Sequence, residues 1–380
     1  MTRTFHDTRS AKRPERAVLV GFDLRKGVDT EESLRELALL ADTAGAIVCG
    51  SMRQKRGRPS AATFLSKGKL EEAVALLKKV DGDLFIFDED LSPAQVRNLE
   101  KASEAKVVDR SELILAIFAR RARSRESRLQ VELAQLEYSL PRLIGMWKHL
   151  ERLGGGIGTR GPGETQLESD RRAVRSRITA LKRQLVKVEA EREVQKKKRS
   201  DTYRVAIAGY TNAGKSTLMN KLTSSDVFTE NRLFATVDST TRRLKINHVE
   251  HPILITDTVG FIRKLPHHLV ASFRSTLAEV VEANLLYHVV DGADPALVQQ
   301  MAAVESVLSE LGAEHTPRIL LINKVDALTP EQRESLEGRF PDAIFVSAKT
   351  GEGLPDVKRR TLLAREERTG RPPVRYEANA

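Results

Sequence analysis

Apolar residues recur along this chain at two spacings, and the change of spacing divides it. Over residues 15–110, short apolar runs alternate with stretches of helical period. Ala17–Phe22, Ala46–Cys49, Leu84–Phe87 and Lys106–Asp109 read as buried strands. Three helical patterns lie between them. One begins near Thr30 and turns Leu34, Leu37 and Leu40 inward, and one covers Leu70–Val80. The third begins at Ser92-Pro93, with Ser92 as cap, Pro93 at the first helical position and Gln95 completing a capping box. Alternating strands and helices predict a small parallel α/β domain. No glycine fingerprint accompanies it, so nothing here claims a nucleotide. The basic loop Arg53–Arg58 reads either as a phosphate contact or as a solvated loop.

From 111 to 200 the strand pattern stops. Leu129, Leu133, Leu136, Leu140 and Leu143 step by threes and fours, as do Ile178, Leu181, Leu185 and Val188. Two such stripes around a glycine-rich break predict an antiparallel helical hairpin or coiled coil. An arm of ~40 residues would span ~60 Å, less if Pro141 breaks or kinks it. The break, Leu153–Glu168, holds six glycines, Pro162 and Arg160, and predicts a non-helical tip. A bare backbone with one Arg suits insertion among RNA phosphates and bases. The plainer reading is a flexible linker. Strand runs return over 201–365, at Val205–Ala208, Ile253–Asp257, Arg318–Ile322 and Ala343–Val346, and predict a doubly wound α/β domain. Residues 1–14 and 366–380 read as disordered tails. No run approaches the length of a membrane-spanning helix.

Charge sharpens this division. The chain's formal net charge is +11, and residues 110–200 alone carry 22 Lys and Arg against 11 Asp and Glu. The whole imbalance lies in the helical segment, which predicts a polyanionic partner there, RNA above all. Cys49 is the single cysteine and reads as a buried core residue. No internal disulfide can form, and a reducing cytoplasm is the natural setting.

The candidate chemistry sits in the last domain. Gly209, Tyr210, Thr211, Asn212, Ala213, Gly214, Lys215 and Ser216 fit G-x-x-x-x-G-K-[ST] between an apolar strand and the helix opened by Thr217. A glycine-rich turn points backbone N–H groups at phosphate oxygens, and the helix N-terminus adds partial positive charge. Lys215 should reach the β- and γ-phosphates, and the Ser216 hydroxyl should ligate Mg²⁺. Asn323, Lys324, Val325 and Asp326 follow a second strand. Asp326 can accept from guanine N1–H and the exocyclic amine, whereas adenine would leave the carboxylate unpaired at roughly 1–3 kcal/mol or more. Asn323 should brace the P-loop and the guanine O6 side, the Lys324 stem should cover the base, and backbone N–H groups of Ser347, Ala348 and Lys349 should meet guanine O6. GTP and GDP are the implied ligands.

Between these boxes stand Asp257, Thr258, Val259 and Gly260. Asp257 offers a water-mediated Mg²⁺ contact and Gly260 an N–H for the γ-phosphate. Phe234, Ala235, Thr236, Val237 and Asp238 occupy a polar loop where a switch segment belongs. Thr236 is the candidate second Mg²⁺ ligand, with Thr240 and Thr241 as competitors on spacing. Lys215, Thr236 and Gly260 are therefore the catalytic candidates. Phe261 stands directly after D-T-V-G, where Ras-like GTPases place a water-orienting Gln, so intrinsic hydrolysis should be slow. Asn212 reads either as a holder of K⁺ near the phosphates or as a loop-stabilising residue.

With these residues placed, the chain resembles the HflX family of ribosome-associated GTPases, relatives of the Obg group. The resemblance is carried by Gly209–Thr217, Leu233–Asp238, Asp257–Pro266, Phe273–Leu277 and, most specifically, Gly154–Glu168. It covers residues 16–365 and favours Thr236 over Thr240 and Thr241. It implies binding to the large ribosomal subunit and its RNA, with the glycine-rich loop reaching the peptidyl transferase region, and splitting of stalled ribosomes under stress. Many family members carry a further small C-terminal domain, where this chain has only a short tail. A monomer is expected. The alternative is a GTPase acting in ribosome assembly or on another RNA. A nucleic-acid-binding protein with a degenerate nucleotide site conflicts with intact Lys215, Ser216, Asp257 and Asp326.

Overall fold

The computed structural model describes residues 13–23, 30–55, 57–147, 162–197, 202–223, 233–246, 252–264 and 274–369. The chain divides into two compact units, Met1–Arg120 with Gln135–Thr179, and Arg121–Ala134 with Ala180–Ala380. The helical stretch is thus shared between the two.

The first unit opens with β1 (Arg16–Phe22), α1 (Thr30–Ala44), β2 (Ile47–Gln54), α2 (Lys67–Lys79), β3 (Leu84–Phe87), α3 (Pro93–Ser103), β4 (Lys106–Asp109) and α4 (Arg110–Arg121). The strands pair in parallel in the order β2-β1-β3-β4. Val18, Val20, Phe85, Phe87, Leu77 and Leu99 form its core, and Phe22, Phe64 and Phe87 meet edge to face. The capping box at Ser92 is complete: Ser92 Oγ accepts from the Gln95 N–H, and Gln95 accepts from the Ser92 N–H.

Three expectations fail here. β2 is an edge strand, so Ile47 and Val48 are exposed and Cys49 is half-buried, not core. β2 also runs on through Arg53 and Gln54, which were expected in a loop. Arg53 is paired with Glu31 at 2.9 Å. Arg13, placed in the N-terminal tail, is bound to Asp83 at 3.0 Å.

The helical stretch contains α5 (Arg125–Trp147) and α6 (Pro162–Lys197). Leu129, Leu133 and Leu181 are buried, and Leu136, Leu140, Leu143, Ile178, Leu185 and Val188 half-buried, as the periodicity required. The described helices run 23 and 36 residues, and Pro141 lies inside α5 without ending it. Residues 162–168 are helical, against expectation. Pro162 takes the first helical position, where its missing N–H costs nothing, and helix formers follow Gly163. The rest of the glycine-rich tip lies outside the described residues.

The second unit carries β5 (Tyr203–Gly209), α7 (Lys215–Thr223), β6 (Thr240–Arg243), β7 (Ile253–Asp257), α8 (Arg274–Val281), β8 (Leu285–Asp291), α9 (Leu297–Glu310), β9 (Arg318–Asn323), α10 (Pro330–Arg339), β10 (Ile344–Phe345) and α11 (Leu354–Thr369). Its sheet runs β10-β9-β8-β5-β7-β6, parallel except for β6. Ile207, Leu218, Ile255, Tyr287, Val289, Leu321 and Val357 are core residues around it. The chain leaves β5 to one side and returns to build β8–β10 on the other. The carboxyl end of β5 is therefore the switch point where ligands bind in such sheets. α11 continues to Thr369, past the expected domain end at 365. Among the described residues, no helix is long and apolar enough to cross a membrane.

Candidate nucleotide site

β5 delivers its chain directly into the turn Tyr210–Gly214, and α7 begins at Lys215. Gly214 has φ +92°, and a Cβ there would lie 2.2 Å from Asn323 Nδ2, so only glycine fits. Lys215 is buried, and its Nζ donates to the Tyr210 carbonyl at 2.7 Å. Burial lowers its pKa to about 8, against the opposing pull of Asp257. An anionic ligand in the turn would raise that pKa again. Residues 211, 212, 214–217, 234–236 and 260 line one cavity. A Cβ on Gly260 would sit 2.8 Å from Thr211 Cγ2 and 2.9 Å from Lys215 Nζ, closing it.

Three oxygens converge on one wall. Ser216 Oγ lies 2.7 Å from Thr236 Oγ1 and donates to Asp257 Oδ2 at 2.5 Å. Thr236 Oγ1 lies 3.2 Å from the same Oδ2. Asp257 is fully buried, and its Oδ1 has no hydrogen-bond partner. Burial holds its pKa above the usual carboxylate range, although Lys215, Ser216 and Thr236 pull it down. An orphaned carboxylate oxygen beside two hydroxyls is a fit for a hard divalent cation. Among the described residues, no cluster of His, Cys, Asp and Glu could hold a metal unaided. The corner therefore suits Mg²⁺ sharing its shell with phosphate and water. Thr240 and Thr241 are on β6, with Thr241 Oγ1 2.9 Å from Thr256 Oγ1, and do not join this corner.

Other candidates are placed elsewhere. Thr258 Oγ1 donates to the Ile207 carbonyl at 2.7 Å, and Val237 and Val259 are buried. Asp238 turns its carboxylate away, toward the start of α5. Phe261 is buried, and its backbone is laced to the P-loop. Its carbonyl accepts from the Thr211 N–H at 2.8 Å, and its N–H donates to the Gly209 carbonyl at 3.1 Å. The sequence reading missed Tyr210 Oη, which accepts from the Arg263 N–H at 2.8 Å and ties the loop after Asp257 to the P-loop. A tyrosine inside a phosphate turn was the available signal.

In the Asn323–Asp326 box, Asn323 joins two segments. Its Nδ2 donates to the Ala213 carbonyl at 2.8 Å, and its Oδ1 accepts from the Ala348 N–H at 2.9 Å. Asp326 Oδ1 accepts from Ser347 Oγ at 2.7 Å, with Lys349 Nζ 4.0 Å from Oδ2. Lys324, at φ +66°, pairs with Asp291 at 2.6 Å. One expectation needs amending. The Ser347 N–H is bonded to the Glu352 carbonyl and the Ala348 N–H to Asn323, so of the three expected donors a base oxygen would share the Ala348 N–H or meet that of Lys349.

A phosphate turn and an Asn-Lys-x-Asp box, hinged through Asn323 at a sheet switch point, define a P-loop GTPase. Three family profiles tile the chain: GTP-binding GTPase N-terminal over residues 31–119, GTP-binding GTPase Middle Region over 121–199 and 50S ribosome-binding GTPase over 204–324. The chain is 49% identical over 346 residues to GTPase HflX of Caldanaerobacter subterraneus, covering 90% of this chain and 79% of that one. It is 45% identical over 347 residues to GTPase HflX of Escherichia coli, covering 90% and 81%. The chain belongs to the GTPase HflX family. The crystal structure of SsGBP with GDP shares the fold at TM-score 0.52 and 24% identity, over 93% of this chain and 99% of that one.

Proposed function

We propose that this GTPase binds the large ribosomal subunit through its RNA and uses GTP as a conformational switch to dissociate stalled or idle ribosomes. The observation that carries the reading is charge placement: the chain's entire +11 excess lies within residues 110–200. Such a surface favours phosphate backbone. The match to a ribosome-binding GTPase family supports the same partner. The protein acts in the cytoplasm as a monomer.

Residues 209–217 wrap the phosphates, with Lys215 as counter-charge, and Asp326 reads guanine. Ser216 and Thr236 would hold Mg²⁺, with Asp257 behind a water. The bound ion would neutralise charge on the β- and γ-phosphate oxygens. Gly260 leaves room for the γ-phosphate and offers its N–H. Phe261, buried and laced to the P-loop, cannot orient water, so the ribosome supplies the missing alignment and turnover rises at least ~10-fold with large subunits. Asn212, at φ +62° on the cavity wall, would hold K⁺ beside the phosphates.

Sedimentation with purified subunits and intact ribosomes tests the proposal. The expected outcome is co-migration with the large subunit in a GTP analogue, loss of binding with GDP, and conversion of intact ribosomes to subunits. Binding to the small subunit alone, or to neither, would favour a role on another RNA.

A further inference from the structure

The segment Phe234–Asp238 is fastened at two ends, and the second is held by hydrogen bonds at the start of α5. Within the second unit, Asp238 accepts from the Arg123 N–H at 2.8 Å, from the Ser124 N–H at 3.2 Å and from Ser124 Oγ at 2.6 Å. Ser124 caps α5. Its Oγ accepts from the Ser127 N–H at 3.0 Å, and its carbonyl accepts from the Arg128 N–H at 3.1 Å. A carboxylate beside the first turn of a helix is further favoured by the helix dipole.

We propose that Asp238 is a positioning residue for Thr236, and that through it the presence of the γ-phosphate is read at the first turn of α5. The inference rests on the assignment of Thr236 to the cation corner made above. Thr236 and Asp238 are two residues apart, a reach of at most ~7 Å. Val237 between them is buried, leaving little slack. At the other side of Thr236, Phe234 is buried with φ +54°, a conformation that a bulky aromatic residue disfavours. The segment therefore holds its shape through its anchors, and losing one loosens the other. Coupling of this kind is reciprocal: weakening the α5 end lowers the affinity of the end that needs the γ-phosphate. α5 is also the first long helix of the basic stretch, so the nucleotide state is delivered where the RNA-directed charge begins.

The test compares affinities for GDP and a non-hydrolysable GTP analogue, with Mg²⁺, in the full chain. Ser124→Ala should weaken the analogue about tenfold, the scale of one hydrogen bond to a charged group, and leave GDP unchanged. Asp238→Ala should weaken the analogue at least as much and should add nothing in a Thr236→Ala background. Ser124→Thr, which keeps the hydroxyl, should restore the ratio. Amides of residues 125–131 should exchange more slowly with the analogue than with GDP in the wild type, and equally in Asp238→Ala. If Thr236→Ala itself leaves the analogue-to-GDP ratio unchanged, the assignment of Thr236 fails. If Thr236→Ala lowers that ratio and the Ser124 and Asp238 variants do not, the assignment stands and the coupling is wrong. Equal losses for both nucleotides would show a purely structural contact.

Discussion

Asn323→Ala is the sharpest probe of how the two halves of the nucleotide site are joined. The change removes the bond to the Ala213 carbonyl, 2.8 Å, and the bond from the Ala348 N–H, 2.9 Å. Asn323, Ala213 and Ala348 are each no more than 3% exposed, so no bulk water replaces the lost partner. Stranding a buried polar group costs roughly 1–3 kcal/mol, and two are stranded, giving about 2–6 kcal/mol. Both bonds exist before nucleotide arrives. Part of this cost therefore appears as lost stability of the nucleotide-free protein, read by urea denaturation. The remainder appears as weaker binding, because turn and base reader are no longer held in register. Neither bond involves the γ-phosphate position. GDP and GTP-analogue dissociation constants should therefore rise by the same factor, about 10–100-fold for 1.4–2.7 kcal/mol. Asn323→Asp divides the two contributions. It keeps the acceptor for Ala348 and sets one oxygen against another at Ala213. Factors for GDP and GTP that differ more than about threefold, beyond ~0.7 kcal/mol, would refute the reasoning. So would wild-type stability and affinity in both variants.

Further outcomes follow from other parts of the molecule. Asp326→Asn should reduce the preference for GTP over ATP, measured by calorimetry, since one of the two acceptors for guanine N1–H and amine becomes a donor. An unchanged preference would remove Asp326 from base reading. Reversal of Arg172 and Arg175 to Glu, both exposed on α6, should weaken ribosome binding and flatten its salt dependence by about two counterions, leaving GTP affinity of the free protein intact. Wild-type affinity and slope in that double variant would reduce the basic stretch to a solvated helix. Glu112 should give the first unit a pH signature. Burial, with Asp109 nearby, raises its pKa from 4.5 to about 7. A raised carboxyl pKa favours the folded state below about pH 4.5, and that contribution is lost as pH rises through about 7. Glu112→Gln should abolish this decline, worth up to roughly 3 kcal/mol. Urea midpoints of both proteins between pH 4 and 8 decide it, and parallel curves would refute the assignment.

The sequence by itself determined the elements whose signals are local. Short apolar runs located β1, β3, β4, β5, β7 and β9, and Ser92-Pro93-x-Gln95 located a helix start to the residue. The nucleotide motifs were legible because each depends on a strand followed by a turn of fixed chemistry, and both lie within a few residues. What failed locally did so for a neighbour's sake. Ile47 and Val48 looked like core, but whether an apolar strand is covered depends on its place in the sheet, and β2 is at an edge. Gly163 looked helix-breaking, yet Pro162 opens a helix whose later turns carry it. Spacing alone did not decide among Thr236, Thr240 and Thr241; the structure sets the Thr236 hydroxyl against Ser216 and Asp257. Spacing places all three within reach, but Thr241 turns its hydroxyl to Thr256 across the β6–β7 pair. Only the tertiary structure joined Asp238 to Ser124, 114 residues distant. Contacts of that range leave no periodic trace in the chain, because closing so long a loop depends on the sheet that brings its ends together, not on the residues that meet there.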